Sequence, residues 1–185
     1  GSDLPAYGNR FHETPAIDRL AREGMLFTDF HSSGTVCSPT RAGLLTGRYQ
    51  QRAGVEAVIH PHSNHPEHRK GLHKSEVTFA ELFKEAGYVT GMVGKWHLCP
   101  DSQLTEAGPR NGWPCQKGFD RFYGILDGFT NFHQPHRLYE DNRALDIDDY
   151  PEGYYFTDDL TDRALDMVRQ LRDGHPTRPW FLYFS

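Results

Sequence analysis

Apolar positions recur along this chain in two rhythms. One repeats every three or four residues, as one face of a helix does; the other is a short unbroken run, as in a buried strand. Ile17, Leu20 and Ala21 share a face between Thr14-Pro15 and Gly24. That pattern predicts a helix opened by a cap and a first-turn proline and closed by glycine. Leu82, Phe83 and Ala86 form a similar stripe between Thr78 and Gly87, and Thr78 with Glu81 has the spacing of a capping box. The longest stripe is Leu160, Ala164, Met167, Val168 and Leu171. It predicts a core helix over 157–172, whose acidic start and basic end suit the helix dipole. The short, mainly apolar segments 25–30 and 89–93 and the apolar run 180–184 predict strands. Polar, irregular stretches fill 50–74 and 100–118. Helices alternating with short strands, with no repeat and no linker, predict an α/β domain with a mixed, largely parallel sheet between helix layers.

Composition changes this picture little. A length of 185 residues suffices for one substantial core. A net charge of −5 argues against nucleic acid as a partner, and no apolar run approaches the length of a membrane span. Of three cysteines, Cys99 and Cys115 either pair or stay as thiols, and both readings leave Cys37 free.

Candidate chemistry gathers in two places. The first is Val36-Cys37-Ser38-Pro39-Thr40-Arg41, followed by Ala42-Gly43-Leu44-Leu45-Thr46-Gly47-Arg48. A helix beginning at Pro39 wastes no N–H on its first turn, and Gly47 is a natural stop. Cys37 then lies at a helix N-terminus, where free N–H groups and the dipole favour an anion. Arg41 follows one turn later, near the same face. The second is Gly94-Lys95-Trp96-His97-Leu98, at the end of a predicted strand. Alternate residues of an extended segment point the same way, so Lys95 and His97 project together and Trp96 turns aside. That joins a fixed charge to a group that titrates near neutrality.

Other polar clusters are less specific. His60, His62, His65, His68 and His73 crowd into one loop, a composition open to zinc or nickel. Their spacing lacks a tetrahedral pattern and no cysteine or acidic cluster joins them, which favours a solvated loop at the mouth of a site. Asp146, Asp148 and Asp149 miss the EF-hand pattern and read as a solvated acidic loop. His133 and His136 either line a pocket or lie on the surface.

Taken together and in this order, Cys-x-Pro-x-Arg with its Leu-Leu-Thr-Gly-Arg tail and Gly-Lys-Trp-His-Leu resemble the two signatures of the sulfatase family. The segments 14–24 and 118–124 extend the resemblance over nearly the whole chain. One departure is Cys99, where the family usually has glycine. The resemblance implies an alkaline phosphatase-like fold and hydrolysis of a sulfate monoester, aryl or carbohydrate. It implies that a formylglycine-generating enzyme oxidises Cys37 to formylglycine, whose hydrate rests on calcium and attacks sulfur. Arg41 then steadies the hydrate, Lys95 binds sulfate oxygens and His97 takes a proton. Of the family's metal ligands only residue 37 is present; the aspartate pair of a first strand, and a later histidine, Asp-Asn pair and lysine, are not in the chain. Residues 1–185 are therefore expected to be one incomplete piece of a catalytic domain, inactive alone. The family is mostly periplasmic, secreted or lysosomal. Two alternatives are a phosphonate or phosphate ester hydrolase of the same superfamily, and a non-catalytic metal- or partner-binding module built on the histidine-rich loop.

Overall fold

Six of the seven residues of strand β1 (Val89–Lys95) are buried, as expected of a strand covered on both faces. Strand β2 (Arg121–Ile125) pairs with it in parallel on one side. The strand that ends the chain, Trp180–Phe184, pairs with it in parallel on the other. Beyond β2, strands β3 (Leu138–Glu140) and β4 (Arg143–Ala144) continue antiparallel. With the terminal strand as β5, the order is β4-β3-β2-β1-β5. The computed structural model describes residues 3–60 and 63–185, which fall into two units, Gly1–Ser32 and Ser33–Ser185. The described residues contain four α-helices: α1 (Pro15–Glu23), α2 (Cys37–Thr46), α3 (Phe79–Glu85) and α4 (Phe156–Gly174). None is long and apolar enough to cross a membrane.

The sheet of the Ser33–Ser185 unit lies between helix layers, as the sequence predicts. Successive side chains of a strand alternate between faces. Met92 and Phe122 thus join Ala42 and Leu45 of α2 and Ala80 of α3 in one core. Val93 and Tyr123 join Ala164, Met167 and Leu171 of α4 in the other. Gly91 has a packing reason: a Cβ there would meet Met167 Sδ at 2.5 Å. Gly94 has a sheet reason. It adopts φ 116°, and a Cβ would strike the Ser185 carbonyl, so no side chain fits where β1 and β5 run together.

Several local expectations shift. Helix α2 begins at Cys37, two residues before Pro39, and ends as predicted on Gly47 in the left-handed region at φ 64°. The inward stripe of α3 is Phe79, Ala80 and Phe83, while Leu82 and Ala86 face out. Phe79 and Phe83 lie one turn apart and pack on Phe181 of β5, at 5.3 and 4.5 Å between ring centroids; these aromatic contacts decide which face turns inward. Helix α4 extends past both predicted ends. In the Gly1–Ser32 unit, α1 matches its prediction, although Thr14 makes no capping bond and no residue of the helix is buried. Residues 25–30 form no strand, because a strand needs a ladder partner and none of the described backbone supplies one. Cys99 and Cys115 are both free, and the Cys99 thiol donates to the Gly112 carbonyl.

The predicted capping box is present. Thr78 Oγ1 accepts from the Glu81 N–H, and Glu81 Oε2 accepts from the Thr78 N–H at 2.8 Å. Thr78 also donates to the Lys117 carbonyl at 2.7 Å and is fully buried. Thr78→Ala therefore lowers unfolding stability by about 1–2 kcal/mol, measurable as a shifted urea midpoint at constant slope.

Candidate active site

The site forms where α2 begins and β1 ends. Val36 is extended and offers no side-chain cap to α2, so the opening N–H groups of the helix beside Cys37 have no capping side chain from it. The next residue, Ser38, is buried, and its hydroxyl accepts from the Ile59 N–H at 3.1 Å. That bond fixes the 50–60 loop against the start of the helix.

Opposite Cys37, the chain leaves the sheet by a different route from the one alternation predicts. The strand stops at Lys95. The Trp96 N–H donates to the Ile125 carbonyl and the His97 N–H to the Leu126 carbonyl. His97 has φ 54°, a left-handed conformation that costs a side-chain-bearing residue energy and persists only where surroundings enforce it. Lys95 and His97 still face the same centre, and Trp96 still turns away, buried with its indole N–H donating to the Gly112 carbonyl. Gly128 makes room for the imidazole: a Cβ there would lie 2.6 Å from His97 Cε1.

The four predicted residues converge. His97 Nδ1 lies 3.2 Å from Cys37 Sγ and Nε2 lies 2.8 Å from the Ile59 carbonyl oxygen. A carbonyl only accepts, so Nε2 carries the hydrogen of a neutral imidazole and Nδ1 turns its lone pair to residue 37. Burial, reinforced by the nearby cations Lys95 and Arg41, pushes the His97 pKa down to about 4, against a bond to Ile59 that raises it. Lys95 hydrogen-bonds Cys37. Arg41 donates to the Lys95 carbonyl and the Ser185 hydroxyl, and its Nε is buried without a partner. Burial lowers the pKa of both cations, and neither has a carboxylate partner among the described residues. Two half-buried cations without an acid between them make a place for an anion.

The pH dependence follows from His97. Its folded pKa of about 4 lies below the ordinary 6.5, so the folded chain binds fewer protons than the unfolded one in that window. The stability it contributes is complete above about 6.5 and is lost as pH falls toward 4. A base held neutral in this way keeps its lone pair in mild acid. An NMR titration of His97 in the folded chain is expected to give a midpoint near 4, and a midpoint near 6.5 would contradict a buried, neutral imidazole.

Calcium does not fit the described residues alone. No group of three or more His, Cys, Asp or Glu side chains among them is placed to hold a metal. Calcium takes six to eight oxygen ligands, whereas the charged side chains that interact with Cys37 directly are the cations Arg41 and Lys95. The same finding covers Asp146, Asp148 and Asp149. In the histidine-rich loop, His65, His68 and His73 make local bonds to Glu67, Ser63 and Ser75; His62 lies outside the described residues. His60 lines a cavity of about 320 Å³ that also reaches Cys37 and His97. His136 lines it too, while His133 bonds the Tyr154 carbonyl.

Sequence reasoning missed the Ile59 carbonyl, which sets the His97 tautomer, and Asp127 and Gly128, which line the same cavity. Ile59 acts through its backbone and leaves no residue-type signal. Asp127 and Gly128 had one: they follow the end of a parallel strand, where α/β sites gather.

Comparison with known proteins gives the chain a family. The family model described as Sulfatase matches residues 1–185. Arylsulfatase A of Homo sapiens is 44% identical over 124 residues, covering 66% of this chain and 22% of that protein. The arylsulfatase of Hemicentrotus pulcherrimus is 36% identical over 195 residues, covering 99% of this chain and 34% of that protein. N-acetylgalactosamine-6-sulfatase of Canis lupus familiaris is 34% identical over 198 residues, covering 99% and 36%. Among solved structures, Ps i-CgsB superposes with a TM-score of 0.81 at 26% identity, over 100% of this chain and 42% of that one. The chain thus spans between 22% and 36% of the length of these curated relatives. With a family model matching every residue, the chain belongs to the sulfatase family.

Proposed function

We propose that the protein containing this chain hydrolyses sulfate monoesters, R–O–SO3⁻ + H2O giving R–OH, sulfate and a proton, with residue 37 as nucleophile after a formylglycine-generating enzyme converts Cys37 to formylglycine. The observation that carries the reading is the meeting of Arg41 and Lys95, half-buried and without carboxylate partners among the described residues, at a residue whose other neighbour is the lone pair of His97. The aldehyde, when hydrated, supplies an oxygen nucleophile where the thiol stands. Lys95 holds non-bridging oxygens of the sulfate and turns the sulfur toward residue 37. Arg41 stabilises negative oxygen on residue 37. His97 Nδ1 accepts a proton from residue 37, and its Nε2–H stays with Ile59 throughout, so the base keeps one orientation. Neutrality at the start matters, because an imidazolium could not accept that proton.

No step is routed through calcium, because the described residues hold no group of three or more His, Cys, Asp or Glu side chains placed for it. Residues 1–185 are read as one part of a catalytic domain to which the rest of the protein contributes, and hydrolysis is assigned to the whole. The test is turnover by matured full-length protein of 4-nitrophenyl sulfate against a 4-nitrophenyl phosphonate monoester. A higher kcat/KM on the sulfate is expected. A higher value on the phosphonate ester would move the reading to phosphorus.

A further inference from the structure

Ser38 is the second residue of α2, but its hydroxyl serves another segment. The side chain is fully buried, and the hydroxyl accepts from the Ile59 N–H at 3.1 Å. Ile59 in turn offers its carbonyl to His97 Nε2 at 2.8 Å. One Cα therefore separates the group that Ser38 holds from the group that His97 bonds. The peptide unit carrying this carbonyl is tied at its other end, where the His60 N–H donates to the His68 carbonyl at 2.8 Å. The Ile59 side chain is buried in the core that includes Ala42 and Leu45 of α2. The acceptor facing His97 is thus held from both sides along the chain, and one of its anchors is the residue next to Cys37.

Resting on the sulfatase reading above, we propose that Ser38 is a positioning residue for the base: through the Ile59 main chain it holds His97 with hydrogen on Nε2 and the Nδ1 lone pair turned to residue 37. A neutral imidazole has two tautomers, and only the one with hydrogen on Nε2 accepts a proton at Nδ1. The Ile59 carbonyl makes that choice, because it can only accept. The backbone of His97 cannot make it: φ 54° sets where the ring lies, not which nitrogen carries hydrogen. Gly128 cannot make it either, since it serves the ring by leaving space. Without the Ser38 hydroxyl, the Ile59 N–H would be buried and unpaired, a costly state that a loop relieves by moving until the donor finds another partner. The Ile59 carbonyl turns with it, because both groups flank one Cα. Proton transfer depends on close placement, so a small turn weakens the base. Lys95, which holds the sulfate, keeps its place on β1, and substrate binding is spared.

The test uses matured full-length protein and 4-nitrophenyl sulfate. Rates are counted per formylglycine at residue 37, measured by mass spectrometry, so that altered maturation does not enter. Ser38→Ala, which removes one buried oxygen, is expected to lower kcat by about 10- to 100-fold while KM stays within about twofold of wild type. In the same protein carrying isotope-labelled histidine, NMR is expected to show His97 of the wild type as one tautomer with hydrogen on Nε2, and His97 of Ser38→Ala as a mixture. Ser38→Cys fills the same space with a weaker acceptor and should give the mixture to a smaller degree, a second route to the same readout. Thr40→Ala is the control. It removes another hydroxyl near the start of α2, one that donates to the Gly34 carbonyl at 2.8 Å rather than serving Ile59, and should leave kcat and tautomer as in wild type. A single Nε2–H tautomer in Ser38→Ala, or equal losses of kcat in Ser38→Ala and Thr40→Ala, would overturn the inference and leave the sulfatase reading standing. A wild type inert toward sulfate esters would overturn that reading, and the His97 tautomer in Ser38→Ala would then decide the inference by itself.

Discussion

Replacing Cys37 with alanine in the full-length protein is expected to remove turnover of sulfate esters, lowering kcat by about 10,000-fold or more, the scale on which removal of a nucleophile acts. Folding should survive. Cys37 is the first residue of α2, half-buried, and Val36 before it makes no side-chain cap that the change could disturb. Alanine is the best helix former, so the unfolding midpoint should move by less than about 1 kcal/mol. The contrast between abolished turnover and intact stability gives the experiment its force. Residual activity would arise from Arg41, Lys95 and His97 acting on water without a covalent partner. Near-full activity in Cys37→Ala would exclude residue 37 as the nucleophile.

Lys95→Ala is the second large effect. The side chain leaves the sheet at its last β1 position, half-buried beside Cys37 and Arg41. Water screens it poorly, so its charge acts on an anion more strongly than a surface lysine's does. The expected loss in kcat/KM is about 100- to 1,000-fold, comparable to removal of one preorganised donor from a site for developing charge. Arg41 bonds the Lys95 backbone carbonyl rather than its side chain, so the substitution leaves Arg41 in place and the loss reports the ammonium alone. Lys95→Arg should recover only part, because the planar guanidinium does not repeat a compact charge at this spacing. A drop of less than tenfold in Lys95→Ala would contradict a direct role in binding sulfate.

Much of the molecule was legible in its sequence because the informative residues act through local rules. Thr78 and Glu81 are three residues apart, and their capping box depends on that spacing alone. Gly47 ends α2 because a left-handed residue is needed there, and Val89 through Val93 pair as a strand because Val89, Met92 and Val93 supply apolar side chains to both covered faces. The two motifs of the site were legible for the same reason, since helix start and strand end place Cys37, Arg41 and Lys95. His97 reaches the same centre as Lys95 by a different backbone route. Alternation was expected to aim it, but a left-handed backbone enforced by the Leu126 carbonyl and the Gly128 gap does so. What stayed hidden depends on distant pairing. The stripe of α3 turned because Phe181, about a hundred residues later in the chain, offers its ring to Phe83. Residues 25–30 have the composition of a strand without a ladder partner. The carbonyl of Ile59 emerges only once three loops meet around Cys37.

Every step assigned to this site passes through the chemical state of residue 37. Mass spectrometry of the tryptic peptide 23–41, from full-length protein made in a host that matures other sulfatases, reads that state directly. An aldehyde or its hydrate in place of the Cys37 thiol is the expected result. An unmodified thiol from such a host would contradict the assignment of residue 37 as the nucleophile.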